Sequence, residues 1–367
     1  MNTDIDKLMG ERQTGYSLPA PFYSDMDIYR LDTDRVFGKL WMLVGHVSQI
    51  PEPGDYFLAE IAGESIWVMR RDKDEIGAFY DVRLHACHVL VFEGLIFICL
   101  AGDSPPDVGP TLQEMAPFVK PQNLAGARVI HETVLATNAN WKLVVENFWE
   151  CNHCEPSHPE FMKVHDRNWM LAMGAGLGAC VSEQAAMKYQ GKFKAFEERA
   201  QQLGHPFGSA SKLGLASTEF WQVLRSPLAE GCYSETRNGR KVGPLMGDLN
   251  DFDGGMTHIS FNPLASLWLC NDHAVTFNFR PMGPMSTDVH MMWLVDGDAE
   301  PDQDYTVEDV AWMWTTTGIQ DKTITENNQS GVTSSRYRPG PYSLMERQLE
   351  DFVQWYFARL RETGNGS

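Results

Sequence analysis

Between residues 41 and 100, short apolar runs typical of β-strands alternate with proline and glycine, and this pattern limits the fold more than any other feature. Four runs have this character: 41–45, 55–61, 65–69 and 95–100. They are separated by Pro51, Pro53, Gly54, Gly63 and Gly94. Proline and glycine end strands and form the turns between them. The pattern therefore predicts a small all-β module.

A larger region with mixed patterns follows a linker that contains Pro105, Pro106 and Pro110. Helices are predicted at 111–119, 140–145, 307–329 and 346–362, and strands at 131–136, 276–279 and 289–295. Residues 184–204 are polar and are predicted to be helical or mobile. The combination predicts an α+β fold, in which an antiparallel sheet has helices packed against it. We expect an N-terminal arm at 1–40 with a short helix at 32–41, a β domain at 41–105 and a second domain at 106–367.

Composition and charge narrow the class of protein. The 367 residues include 30 Lys and Arg against 49 Asp and Glu, a formal charge of −19. Nucleic acids and anionic membranes are bound by clustered basic residues, so neither partner is expected. No apolar run reaches the roughly 18 residues of a membrane span, and the acidic N-terminus does not resemble a signal peptide. Seven scattered cysteines do not indicate a disulfide framework, so a cytoplasmic location is expected.

The segment 140–159 holds the residues with the clearest chemistry. His153 and His158 lie five positions apart, a spacing that also arises by chance. The two prolines of the segment break the helix and allow both rings to point at one site. Glu150, three positions before His153, would share a helix face with it and fix the tautomer of its ring through a hydrogen bond.

Two imidazoles leave a first-row metal ion short of ligands. One further carboxylate completes the two-His, one-carboxylate facial triad of non-haem Fe(II) sites, which keeps positions open for O2 and substrate. We choose Asp321 because it lies on a predicted helix of the same domain. The spacing alone equally describes a surface turn with two solvated histidines.

Several segments resemble those of a known family. Residues 140–159 closely resemble the iron-binding segment of the Rieske-type oxygenase large subunits, which are ring-hydroxylating dioxygenases and their demethylating relatives. Residues 320–331 and 338–343 resemble the helix of the third iron ligand and the segment after it. Residues 240–247 resemble an element of the subgroup that acts on quaternary amines such as glycine betaine and carnitine. The resemblance runs from about Tyr16 to Arg361.

The resemblance implies that His153, His158 and Asp321 bind a mononuclear iron, Fe(II), in a catalytic domain of helix-grip type at 106–367. Glu150 stands where the family has an acid that links an iron-ligand histidine to the cluster-bearing domain of a neighbouring subunit. The implied activity is O2-dependent hydroxylation that demethylates a small quaternary or tertiary amine. Hydroxylation of an aromatic ring, and a non-catalytic or regulatory subunit of a hetero-oligomer, remain as alternatives.

The N-terminal domain lacks the iron–sulfur ligands of the family. Relatives carry Cys-x-His and, about 17 to 20 residues later, Cys-x2-His around a [2Fe–2S] cluster. Here residues 78–82, which lead into the first motif in relatives, are followed almost directly by residues 89–97, which lie after the second. We therefore expect residues 41–105 to form a truncated Rieske-like domain without a cluster. Electrons must then come from a cluster-bearing subunit or an external reductase, with NAD(P)H used only through that reductase. A homotrimer or a hetero-oligomer fits the family.

The cysteines and histidines outside the triad have plainer interpretations. Cys87 and His88 are adjacent, so they point to opposite faces of a strand, and a joining strand after His85 is favoured over a metal site. Cys151 and Cys154 have the spacing of half a zinc site, but no second pair completes it. Core positions are expected for Cys99, Cys180, Cys232 and Cys270.

Aromatic residues offer a possible substrate pocket. They occur near the iron segment and in later strands, as Phe148, Trp149, Phe261, Trp268 and Phe277. A methylammonium group binds aromatic faces through cation–π attraction. Each of these residues taken singly is better explained as part of the core, so the expected preference for quaternary amines rests on the resemblance to the subgroup.

Overall fold

The computed structural model describes residues 4–80, 85–102, 104–165, 183–213 and 219–362. Two antiparallel sheets follow one another along the sequence, and the first has six strands in the order β1-β6-β5-β4-β3-β2. Its strands are β1 (Met42–His46), β2 (Tyr56–Ile61), β3 (Glu64–Asp72), β4 (Glu75–Phe79), β5 (Ala86–Phe92) and β6 (Leu95–Cys99). The predicted all-β character of this region is confirmed.

Glycine permits the tight hairpins of this sheet. Ala62 and Gly63 join β2 to β3, and Glu93 and Gly94 join β5 to β6, and all four residues have positive φ. Two successive positive φ angles define the turn type that matches the twist of paired strands. A Cβ at Gly94 would also lie 2.5 Å from Nε2 of His46. Glycine is therefore required at this position for two reasons.

The second sheet has seven strands in the order β7-β13-β12-β11-β10-β9-β8. Its strands are β7 (Arg128–Thr137), β8 (Gly208–Lys212), β9 (Trp221–Pro227), β10 (Gly255–Asn262), β11 (Ala265–Leu269), β12 (Ala274–Gly283) and β13 (Ser286–Val295). Neighbouring strands pair antiparallel throughout. With the helices described next, this confirms the predicted α+β class. The domain limits at residues 40 and 105 stay a prediction.

Nine α-helices are present among the described residues. They are α1 (Ile5–Glu11), α2 (Met26–Arg35), α3 (Gly109–Val119), α4 (Trp141–Trp149), α5 (Cys154–Ser157), α6 (Phe161–Val164), α7 (Glu183–Leu203), α8 (Val307–Val332) and α9 (Arg347–Arg361). The helix predicted at 32–41 is wrong in its limits. Asp25 caps α2 by accepting hydrogen bonds from the backbone of Asp27 and Ile28, so the helix begins at Met26. None of these helices combines the length and apolar character needed to cross a bilayer.

A buried carboxylate joins three helices. Asp32 of α2 accepts hydrogen bonds from Nζ of Lys142 at 2.5 Å and Nε1 of Trp141 at 2.8 Å, both on α4, and from the hydroxyl of Tyr356 on α9 at 2.6 Å. Both charged side chains are fully buried. A buried ion pair needs further partners for its polar atoms. Here Asp32 accepts three hydrogen bonds, and Nζ of Lys142 also lies over the rings of Trp141 and Tyr356, at 4.6 and 4.8 Å from their centroids. The cluster fixes the position of α4, which leads into the predicted iron segment.

The long helix α8 packs closely on the second sheet. A Cβ at Gly318 would lie 2.9 Å from Cδ1 of Leu135 on β7, so glycine permits the close approach. Thr306 caps the helix by accepting from the backbone N–H of Asp309. Asp321 lies one turn after Gly318 and is therefore held near the sheet and α4.

Candidate active site

The chain turns sharply where α4 ends. Glu150 follows the last helical residue in an extended conformation, with φ −129° and ψ 165°. The prediction that Glu150 and His153 share a helix face is therefore wrong. The predicted contact nevertheless forms, because the turn brings Nδ1 of His153 to 2.5 Å from Oε1 of Glu150.

One face of α8 carries the predicted carboxylate to this turn. Asp321, Thr325 and Gln329 are spaced four residues apart and therefore lie on the same face of the helix. Gln329 accepts a hydrogen bond from the backbone N–H of Asn140 at 2.8 Å. The hydroxyl of Thr325 donates to Oδ1 of Asn147 at 3.0 Å. These two contacts align α8 with α4 and so determine where Asp321 lies.

His153, His158 and Asp321 meet at one point. Oδ1 of Asp321 is 3.1 Å from Nε2 of His153 and 3.0 Å from Nε2 of His158. The two rings are nearly perpendicular, with centroids 5.0 Å apart. Two ligands at right angles around one metal ion, each at about 2.1 Å, are separated by about 3 Å. The donor atoms thus have the spacing of a facial triad, and their chemistry fits Fe(II).

Hydrogen bonds to the far side of each ring select the donor nitrogen. Nδ1 of His153 donates to Glu150, and Nδ1 of His158 donates to Oε1 of Gln320 at 2.8 Å. The amide of Gln320 in turn donates to Glu160, so its oxygen faces the ring. A proton held on Nδ1 leaves the lone pair of Nε2 free for a metal. Gln320 was not predicted as a site residue, although its position directly before Asp321 indicates that it lies near the site.

The electrostatics of the site favour a cation. Burial lowers the pKa of His153, but hydrogen bonds with Asp321 and Glu150 outweigh this and raise it to about 9. Burial raises the pKa of Asp321, but hydrogen bonds with the two histidines outweigh this and lower it. The raised pKa of His153 shows that the two carboxylates favour positive charge beside Nε2, and the lowered pKa of Asp321 shows that its carboxylate stays ionised next to that charge.

Asn147 is a further residue of the site. It lies in the segment 140–159, but no role was predicted for it. Its Nδ2 donates to Oδ1 of Asp321 at 2.8 Å and lies 3.3 Å from Nε2 of His153. Its own orientation is set by the hydrogen bond from Thr325. Asn147 therefore orients the carboxylate that would bind the metal.

A cavity of about 70 Å³ opens beside the triad. Its aromatic lining residues are Phe148, Trp149, Phe161, Trp268 and Trp314. Three of these, Phe148, Trp149 and Trp268, were among the predicted pocket residues. Trp314 was missed, although it lies seven residues before Asp321 and hence on the same side of α8.

Two other predicted pocket residues do not line this cavity. Phe277 lies behind it, with its ring 5.0 Å from Phe148 and 4.9 Å from Trp314. Phe261 packs on Phe97 of the first sheet, with ring centroids 5.0 Å apart. Successive residues of a strand face opposite sides. Because His258 of β10 faces the cavity, Phe261 must face away from it.

His258 contributes an uncharged ring to the lining. Burial lowers its pKa to about 3, so the ring is neutral at physiological pH. Its Nε2 lies 3.0 Å from the hydroxyl of Ser266, which itself donates to the carbonyl of Ile259. Ser266 can then only accept from the ring, so Nε2 carries the proton.

The junction residues Cys87 and His88 of the first sheet lie on a regular strand. Cys87 and His88 lie on β5, paired with Ala78 and Cys99 respectively, so the predicted joining strand is confirmed for residues 86–92. Nε2 of His88 donates to the carbonyl of Gly102. Among the described residues, one group of three metal-binding side chains comes together, formed by His153, Cys154 and His158. Residues 81–84 of the junction lie outside the described residues.

The cysteines differ in part from expectation. Cys151 and Cys154 form a disulfide, which the sequence analysis did not predict. Cys99 and Cys270 are buried as expected, whereas Cys232 is only half-buried. Cys180 lies outside the described residues. The segment 240–247 supplies no residue to the lining of the cavity.

Residues 124–362 match the family of the ring-hydroxylating alpha subunit, catalytic domain. The match covers more than half of the chain, which therefore belongs to the alpha subunits of the Rieske-type non-haem iron oxygenases, O2-dependent oxidoreductases. Among the relatives, the chain is 30% identical to the glycine betaine monooxygenase oxygenase subunit of Chromohalobacter salexigens, with 95% of this chain and 87% of that protein covered. It is 27% identical to the carnitine monooxygenase oxygenase subunit of Escherichia coli K12, over 44% of this chain and 58% of that one.

The fold agrees with this assignment. The crystal structure of the quaternary ammonium Rieske monooxygenase CntA in complex with L-carnitine superposes with a TM-score of 0.64. It covers 99% of this chain and 100% of that chain at 14% identity. The alignment with the Chromohalobacter protein spans 405 positions, more than the 367 residues present here. Parts of that relative therefore have no counterpart in this chain.

Proposed function

We propose that this protein is the oxygenase component of an N-demethylating monooxygenase, with Fe(II) bound by His153, His158 and Asp321. The observation that carries the proposal is the convergence of two Nε2 atoms on one carboxylate oxygen, at 3.1 and 3.0 Å, beside a small aromatic cavity. Iron in such a triad supplies, when bound, the reductive activation of O2 needed to hydroxylate a C–H bond.

The surrounding side chains prepare the site for this chemistry. Glu150 and Gln320 hold a proton on Nδ1 of each histidine, so that both Nε2 atoms remain ligands. Asn147 holds the carboxylate of Asp321 in its orientation. The aromatic walls keep water away from the reacting carbon, which protects the oxidant from side reactions.

The dimensions of the cavity favour a small substrate. A volume of about 70 Å³ accommodates on the order of five water molecules. This suits an amine with a few methyl groups better than a fused aromatic ring system. The buried side chain of Glu235 accepts a hydrogen bond from Nε1 of Trp314 at 3.2 Å, which holds this ring in the aromatic wall. A methylammonium cation is attracted to such a wall.

The substrate class follows from this chemistry and from the relatives. Glycine betaine and carnitine share a trimethylammonium group, and we propose that a quaternary or tertiary methylamine is the substrate here. Hydroxylation of one N-methyl carbon produces an N-hydroxymethyl group. This group loses formaldehyde and leaves the demethylated amine.

We further propose that electrons arrive from a separate cluster-bearing protein through the side of Glu150. This residue borders both the aromatic cavity and a surface cavity of about 390 Å³, which is also lined by Glu146 and Tyr342. A donor seated in the surface cavity would be separated from His153 by one carboxylate. A reductase that uses NAD(P)H would supply that donor.

The test combines metal analysis with product detection. The chain is loaded anaerobically with Fe(II), and iron is expected near one per chain, without cluster absorbance. With a reductase, a cluster-bearing partner and a methylamine, formaldehyde should be released. The variant Asp321→Asn should lose iron and activity, while Glu308→Gln, an exposed change on the same helix, should keep both. A stable hetero-oligomer without iron in this chain would instead establish the regulatory role.

A further inference from the structure

His153 stands between two cysteines that the proposed oxygenase chemistry does not use. Cys151 and Cys154 form a disulfide with their Cα atoms 5.0 Å apart, and both residues line the aromatic cavity. The covalent ring encloses only Asn152 and His153. One proposed iron ligand is therefore held in a loop whose closure depends on the oxidation state of two sulfur atoms.

The sulfur of Cys154 lies on the metal side of His153. It is 3.9 Å from Nε2, the same atom that is 3.1 Å from the carboxylate of Asp321. The donor atoms of His153, Cys154 and His158 all lie within 4.8 Å of one another. A thiolate and an imidazole on one metal ion, at about 2.3 and 2.1 Å, are about 3.1 to 3.6 Å apart, so the sulfur must approach Nε2 of His153 by about 0.3 to 0.8 Å to share a metal ion with it.

We propose that Cys154 is a redox-controlled fourth ligand of this metal site, an inference that rests on the proposed function. In the disulfide, its sulfur is bonded to Cys151 and is a poor ligand, so the triad keeps its open positions. A dithiol reductant breaks the S–S bond by donating two electrons and two protons, and is itself oxidised to a disulfide. The freed thiol of Cys154 then loses its proton to solvent as its sulfur binds the metal ion.

The added thiolate changes what the site binds and does. It takes a position that O2 or the substrate needs, so the reduced form is closed and the disulfide form is open. Thiolate is a softer ligand than carboxylate, and a set of two histidines, one cysteine and one aspartate suits tetrahedral Zn(II) better than Fe(II). Reduction therefore lowers oxygenase activity and shifts the metal preference towards zinc.

Two serine variants separate the two states without a reductant. Cys151→Ser leaves Cys154 permanently free and represents the reduced form. Cys154→Ser removes the sulfur in question and represents the open form. Cys87→Ser is the matched control, because Cys87 is a half-buried free thiol on β5, outside the cavity lining. Thermal unfolding curves establish that each variant is folded before metal is added.

The experiment uses Co(II) alone as the probe, added anaerobically to each metal-free full-length protein. Thiolate coordination produces an intense sulfur-to-cobalt charge-transfer band in the near ultraviolet, which nitrogen and oxygen ligands do not produce. We expect the band in Cys151→Ser without reductant, and in the wild type and Cys87→Ser only after a dithiol is added. Cys154→Ser should bind Co(II) without the band, and Zn(II) should bind Cys151→Ser at least about tenfold more tightly than Cys154→Ser.

The outcomes distinguish this inference from the proposal on which it rests. Co(II) bound without the band in Cys151→Ser and in the reduced wild type would overturn the role of Cys154 and leave the triad intact. The band persisting in Cys154→Ser would assign the sulfur to another cysteine and overturn it as well. If none of the four proteins bound Co(II), the result would contradict the proposed metal site itself.

Discussion

Glu146 holds a proton more tightly in the folded chain than in the unfolded chain, and stability should therefore depend on pH. The side chain is buried in α4 and accepts hydrogen bonds from the hydroxyl of Tyr23, at 2.9 and 3.1 Å. Burial raises the pKa of Glu146 from 4.5 to about 8, against the opposing effect of the Tyr23 hydrogen bond. The carboxyl group is thus largely neutral in the folded protein at physiological pH.

The sign and the size of the effect follow from this shift. Between the two pKa values the folded state binds more protons than the unfolded state, so the free energy of unfolding falls as pH rises. The contribution is fully present below about pH 4.5 and is lost as pH rises through about 8. Each pKa unit corresponds to about 1.4 kcal/mol, so the loss over this shift amounts to roughly 5 kcal/mol.

The perturbation is Glu146→Gln, which keeps the shape of the side chain and removes its ionisation. We expect the variant to be more stable than the wild type at pH 9 by a few kcal/mol, with the difference disappearing near pH 5. Chemical denaturation at pH 5, 7 and 9 measures it. Glu114→Gln, an exposed change on α3, should give the same pH dependence as the wild type. An unchanged difference between Glu146→Gln and the wild type across this pH range would refute the reasoning.

Three further predictions concern the site and the core. Gln320→Ala should weaken Fe(II) binding by about 10- to 100-fold in equilibrium dialysis, because it removes the hydrogen bond that holds the ring of His158. An unchanged affinity would show that the ring needs no such support. Trp314→Leu should weaken binding of tetramethylammonium about 2- to 30-fold in calorimetry, with little effect on neutral neopentane-like isosteres; equal losses for both would argue against cation–π attraction. Asp32→Ala should lower the free energy of unfolding by about 3 to 5 kcal/mol, because it leaves the buried cation of Lys142 unpaired; Asp32→Asn, which keeps two hydrogen bonds, should cost less.

The parts of the fold that depend on local signals could be predicted. The prolines and glycines between the apolar runs of residues 41–100 predicted strands, because these residues favour turns and end strands. The helix limits were less accurate where a cap decided them. The helix α2 begins at Met26, six residues before the predicted start at Asp32, because the side chain of Asp25 accepts two backbone hydrogen bonds that periodicity does not show.

The site shows the same division. The contact between Glu150 and His153 was expected from a shared helix face, but it forms across a turn after α4 has ended. The expectation was right about the partners and wrong about the backbone. Phe261 was assigned to the pocket by its type, whereas the alternation of β10 places it on the opposite face from His258.

The sequence by itself, through the resemblance of residues 140–159 and 320–331 to a known family, indicated the class of site: two histidines five residues apart after a helix, with prolines that turn the chain, and a distant acid on a helix. These are properties of neighbouring residues and of their chemistry. Only the tertiary structure decided that Asp321 reaches both rings, because its position depends on the docking of α8 through Thr325 and Gln329. Two further features also depend on the tertiary structure: the small volume of the cavity and the approach of Cys154 to the metal side of His153. Both depend on how the chain turns and on packing between elements that are distant in sequence, and no local sequence pattern encodes such distances.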